Sequence, residues 1–132
     1  MNGQILMNKT LRINAGFSFL SGIDFLLFDQ TIAQILAGSK IGSLAPMGLM
    51  LIGFSVFVFA VSMLRDVNKY LVGAIIAMDT MWVIGSIVLL AFGYAIFTTI
   101  GLLLIGLVAI IIAAFAYFQT KGLRLHLNRQ TT

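Results

Sequence analysis

Asp24 and Asp79 are the residues of this chain best placed to do chemistry, because each interrupts a long apolar stretch instead of lying in a polar loop. A carboxyl group surrounded by hydrocarbon can bind and release a proton, accept hydrogen bonds from a polar ligand, or tie neighbouring helices together. On a helix, Asp24 stands twelve residues beyond Arg12, a rise of about 18 Å, and Asp79 ten beyond Lys69, about 15 Å. Both are expected near the middle of a hydrocarbon layer about 30 Å thick, level with one another. An aspartate facing lipid at that depth costs roughly 2.5–3.5 kcal/mol, so both are expected to point inward.

Their companions fit that orientation. Asn14, Ser18 and Ser21 recur at i, i+4 and i+7 with Asp24 three residues on, and Asp79, Trp82 and Ser86 repeat the pattern in the third apolar stretch. Trp82 is far from either end of its stretch, and its indole N–H needs an acceptor there, for which a carboxylate across the bundle is the natural choice. Asp24, Asp79, Trp82, Asn14, Ser18, Ser21 and Ser86 are thus the candidate ligand- or proton-binding centre. The competing reading is purely architectural: inward polar groups also serve as interhelical hydrogen bonds worth about 0.6–2 kcal/mol. No catalytic residue is assigned. The chain has no cysteine, and its one histidine, His126, lacks neighbouring carboxylates, so no metal site and no cofactor are expected.

The elements that must position these residues follow from hydropathy. Residues 80–120 contain no Lys, Arg, Asp or Glu, and the composition is 61% hydrophobic against 9% charged. With about 20 apolar residues needed per span, the chain reads as one all-α integral membrane domain over residues 1–132, with transmembrane helices at 11–28, 46–64, 70–92 and 98–117 and a basic tail at 118–132. Pro46 suits a first helical turn, and Thr98 or Thr99 suits the cap of the last helix. Short connections make consecutive helices antiparallel, an up-down-up-down bundle. The longer first connection carries Ile32, Ile35 and Leu36 at helical spacing, which predicts a short amphipathic interfacial helix over 29–37, begun by Asp29 or Thr31. Small residues at Gly53, Ala60, Gly73, Gly85, Gly106, Ala109 and Ala113 are expected to allow close helix packing.

The basic residues cluster at helix ends. Lys9, Arg12, Arg65, Lys69, Lys121, Arg124 and Arg129 fall on one side and only Lys40 on the other, placing both termini in the cytoplasm. Lys9, Arg12, Arg65, Lys69, Lys121 and Arg124 are the candidate contacts to anionic lipid headgroups. They do not gather with interleaved aromatics into one face, which argues against nucleic acid as a partner.

The segments Arg12-Ile13-Asn14-Ala15-Gly16-Phe17-Ser18 with Leu20-Ser21-Gly22, Asp79-Thr80-Met81-Trp82-Val83-Ile84-Gly85-Ser86, and Gly122-Leu123-Arg124 resemble those of small bacterial four-helix inner-membrane proteins of uncharacterised function, loosely like the DoxX-type bundle. The resemblance implies a multi-pass protein of the bacterial inner (plasma) membrane in which Asn14, Ser21, Asp79 and Trp82 share a polar centre; it supplies no activity. The expected task is non-enzymatic: binding a small or lipidic ligand at that centre, or serving as an accessory subunit of a membrane assembly, with lipids and either a homo-oligomer or a larger complex as partners. The alternative is a proton-coupled small-molecule transporter working as a homodimer through Asp24 and Asp79.

Overall fold

A segment too apolar to leave its backbone hydrogen-bonding groups to water must pair them internally, and a helix does so residue by residue. The computed structural model describes residues 2–38 and 40–131. Over these residues it comprises α1 (Gly3–Leu27), α2 (Asp29–Ala37), α3 (Ala45–Ser62), α4 (Lys69–Phe92) and α5 (Thr99–Thr131), with a 3-10 turn at Gly93–Ala95. Three helices, α3, α4 and α5, are long and apolar enough to cross a membrane, and α1 with α2 makes a fourth if that pair, bent by 96°, counts as one span.

Helices α3 and α4 and the short α2 fall where hydropathy and spacing place them, and Pro46 occupies the first turn of α3. The outer ends of α1 and α5 do not. α1 begins at Gly3 instead of residue 11, and the expected tail at 118–132 is helix as far as Thr131, residue 132 lying outside the described residues. Both extensions are amphipathic. The Asn2 side chain caps α1 by accepting the Gln4 N–H at 2.9 Å, and Met7 and Leu11 are buried while Lys9 and Arg12 face outward. In α5, Gly122 is buried between the exposed Lys121 and Arg124 side chains. Average hydropathy stops at the first charges; the packing continues because those charges occupy only the outer face.

α1 is the central helix. It packs antiparallel to α3 on one side and α5 on the other, α4 packs on α5, and α3 touches α4 only slightly. The core cluster of Met7, Leu11, Ala15, Val58, Val61, Val72 and Ile75, drawn from α1, α3 and α4 with Leu123 of α5 packed against it, therefore lies toward the basic end of the helices. Beyond it the second half of α4 is open, with Ile84, Ile87, Val88 and Phe92 exposed.

Glycine marks the closest helix approaches, at positions other than those the small-residue pattern singles out. A Cβ on Gly22 would lie 2.7 Å from the Gly48 carbonyl oxygen, and one on Gly3 would lie 2.5 Å from that of Gly122, so the backbones of α1 and α3, and of α1 and α5, nearly touch. Gly53, Gly73 and Gly85 instead have nothing within 4 Å of such a Cβ, and Gly106 makes only ordinary contact with Leu90. Of the alanines in that pattern, Ala109 is buried, while Ala60 and Ala113 are exposed.

At the end opposite the basic residues, α2 folds across the start of α5. The Thr98 N–H donates to the Leu36 carbonyl at 2.8 Å, and the Thr98 hydroxyl accepts the Gly101 N–H at 2.9 Å, capping α5 as its position suggests. Lys40 donates to the Ala95 carbonyl at 2.7 Å. Asp29 begins α2 but neither it nor Thr31 caps that helix; the cap position is Phe28, without a side-chain bond. The Asp29 carboxylate reaches across the loop instead, accepting from the Ser43 hydroxyl and from the N–H of Leu44, the residue that caps α3. These bonds, first Ser43 and then Leu44, hold the Asp29 carboxyl below its ordinary 3.8. A depressed carboxyl contributes stability that is complete above 3.8 and is lost as pH falls through the lower folded-state value. Protection of the Leu44 amide, its exchange rate relative to that of a free amide at the same pH, is therefore expected to hold at neutral pH and to fall only below pH 3.8. Asp29→Asn should expose that amide to faster exchange at neutral pH and remove the acid step.

Candidate functional site

Asn14 on α1, Asp79 on α4 and Gln119 on α5 meet in the interior between their helices, and all three are buried, with relative exposures of 1%, 4% and 0%. The Asn14 amide spends both of its N–H protons there: Nδ2 donates to Asp79 Oδ2 at 2.8 Å and to Gln119 Oε1 at 3.0 Å. Gln119 Nε2 donates to the same Asp79 Oδ2 at 3.0 Å, closing a three-helix ring. The Ser18 hydroxyl, one turn along α1 and also buried, donates to Asn14 Oδ1 at 3.2 Å and fixes the amide that serves the other two. Among the described residues, every buried side-chain nitrogen and oxygen has a partner.

The sequence places the expected residues on two sides of this result. Asn14, Ser18 and Asp79 are brought together, whereas Asp24 is not: it is exposed, ten residues beyond Asn14 and so about 15 Å farther along α1. The expectation that both acids point inward at one depth is corrected by the helix geometry. Ten residues turn the chain by 1000°, so Asp24 leaves the face that carries Asn14. Ser21 is half-buried and outside the ring. Ser86 is buried but donates to the Trp82 carbonyl of its own helix at 2.8 Å, the local bond that hydroxyls commonly make in apolar helices. Trp82 is half-buried, and its indole N–H has no acceptor among the described residues, so the predicted indole–carboxylate bond is absent from them.

Gln119 is the member that hydropathy does not reveal. It lies at the very end of the uncharged run, past the expected helix end at 117 and two residues before Lys121, which assigns it to the tail. The only sequence signal is its symmetry with Asn14: Asn14 lies two residues from Arg12 and five from Lys9, and Gln119 two from Lys121 and five from Arg124. On antiparallel helices these spacings put the ring about 3 Å and about 7.5 Å from two successive levels of cations. The centre is thus near the basic end of the bundle. The cations do not pair with Asp79, since two residues turn a helix by about 200° and send them to the outer face.

Two shallow grooves run along those outer faces. One, on α1, is lined by Ile5, Asn8, Lys9, Arg12 and Ile13, with the Arg12 guanidinium 3.6 Å from Met63 Sδ. The other, on α5, is lined by Tyr117, Thr120, Lys121, Arg124, Leu125 and Asn128. Arg65 in the α3–α4 connection and Lys69 at the start of α4 are exposed, and Lys69 Nζ stands 5.2 Å from the centre of the Tyr70 ring. Comparison with known proteins gives no match: no family model fits the chain, and no curated protein or solved structure is detectably similar to it.

Proposed function

We propose that the chain is a small non-enzymatic protein of the bacterial inner membrane, with its basic end in the cytoplasm, acting as an accessory subunit of a membrane assembly. On this reading it stands beside the small four-helix proteins loosely like the DoxX-type bundle. The observation that carries the proposal is the closed ring of Asn14, Asp79 and Gln119, whose donors are turned on one another and join three helices. Such a ring favours a lock over a site that takes up a ligand, because a ligand would have to displace bonds already made. The open half of α4, with Ile84, Ile87 and Val88 exposed, then faces lipid or a partner's helix. The cations at the basic end lie where the positive-inside rule and anionic headgroups would put them.

A transporter built on two acids exchanging protons loses its geometric support, because Asp24 and Asp79 occupy different faces about 15 Å apart along the axis. The accessory-subunit reading is tested by extracting the full chain from membranes in mild detergent and weighing the intact particles by native mass spectrometry. A stoichiometric second polypeptide is the expected result; a chain that always emerges alone or only with itself contradicts the reading.

A further inference from the structure

The α5 groove combines features that the α1 groove lacks. Tyr117, Lys121, Arg124 and Asn128 follow one another at i, i+4, i+7 and i+11, so they form a single stripe down one face of α5. The stripe begins in the last turn of the uncharged run and ends beyond it, crossing the level at which a bilayer's hydrocarbon would give way to headgroups. The Tyr117 ring stands edge-on to Phe118 at 5.2 Å, and tyrosine belongs at this boundary, its ring in the apolar zone and its hydroxyl toward water. Lys121 and Arg124 are exposed and have no hydrogen-bond or ion-pair partner among the described residues, whereas Arg12 of the other groove already donates to Met63. Their direction is fixed from inside: Gln119, two residues before Lys121, is held at 0% exposure by the ring, which sets the rotation of α5 and turns the stripe outward.

We propose that this groove is a binding site for the phosphate headgroup of an anionic phospholipid. Arg124 offers the phosphate two parallel N–H donors, Lys121 a mobile ammonium one turn nearer the hydrocarbon, and Tyr117 a hydroxyl, while Ala116 and the ring of Tyr117 give the acyl chains an apolar wall. A lipid is favoured over free phosphate because the groove continues from its cations into apolar surface. The site rests on the proposal that the basic end lies at a bilayer surface.

The test uses the full chain reconstituted in phosphatidylcholine vesicles with a minor fraction of phosphatidylglycerol, then released in mild detergent and weighed with its retained lipid. Wild-type protein is expected to retain phosphatidylglycerol preferentially. Lys121→Gln with Arg124→Gln should reduce that preference by about 25-fold, about fivefold for each cation. Lys9→Gln with Arg12→Gln removes the same charge at the same level and measures the diffuse attraction shared by the cations of the basic end, so it should lower the preference distinctly less, by no more than about fivefold. Equal losses in the two double variants would mean a diffuse charge effect, and an unchanged preference in the α5 variant would mean lipid binds elsewhere; either overturns the site. Displacement of the lipid by millimolar inorganic phosphate would overturn the lipid assignment in favour of a free-anion site. Vesicle flotation of every variant separates this from the larger reading: protein that fails to float refutes membrane embedding itself, whereas protein that floats without headgroup preference refutes only the groove.

Discussion

Asp79→Leu is expected to destabilise the folded bundle by about 2–4 kcal/mol. The substitution removes the oxygen that accepts from both Asn14 and Gln119 and strands one N–H on each, at side chains that are fully buried. A buried donor left without an acceptor costs about 1–3 kcal/mol, and two such donors set the range, which the added apolar volume of leucine offsets only in part. Asp79→Asn keeps a carbonyl oxygen at the same point and should cost about 1 kcal/mol or less. Thermal or denaturant unfolding in detergent, followed by helicity, separates the two variants. A leucine variant as stable as wild type would show that the ring contributes nothing to holding α1, α4 and α5 together.

A comparable loss, about 3 kcal/mol, is expected from Gly22→Val, for a steric reason instead of a polar one. The first added carbon alone would stand 2.7 Å from the Gly48 carbonyl oxygen and 2.8 Å from Ile52 Cγ1, so α1 and α3 must separate to admit the branched side chain. Overpacking costs typically 1–3 kcal/mol, and here the obstruction is a backbone atom that no rotamer change can move. Gly53→Ala, Gly73→Ala and Gly85→Ala provide the contrast. Nothing lies within 4 Å of the added carbon, so alanine's higher helix propensity should leave them neutral or stabilise them by up to about 1 kcal/mol. The same unfolding assay distinguishes the two classes, and a Gly22→Val protein that unfolds with the Gly53, Gly73 and Gly85 variants would refute the close crossing.

The difference between those glycines shows what a sequence of this kind conveys. Hydropathy finds α3 and α4 because their apolar residues run continuously, and the 29–37 pattern finds α2 because Ile32, Ile35 and Leu36 repeat at its period. It misses the first turns of α1 and the last turns of α5, where Lys9, Arg12, Lys121 and Arg124 dilute the average although Met7, Leu11, Gly122 and Gln119 are buried. Depth counted along one helix likewise carries no rotation. Asp24 and Asp79 stand at similar distances from basic residues in the sequence, but Asp79 lies where α1 and α5 present amides and Asp24 lies on the outside of α1. Gln119 becomes visible only when α5 is laid antiparallel to α1 in register, a relation between segments that neither segment states alone.

A double-mutant cycle between Asp79 and Gln119 tests the polar lock most directly, with Asp79→Leu, Gln119→Leu and the double variant unfolded under identical conditions. A coupling energy of about 0.6–2 kcal/mol is predicted for this pair, with the Asp24–Asp79 cycle additive to within about 0.5 kcal/mol. Additivity at Asp79 and Gln119, or coupling between the two aspartates instead, would contradict it.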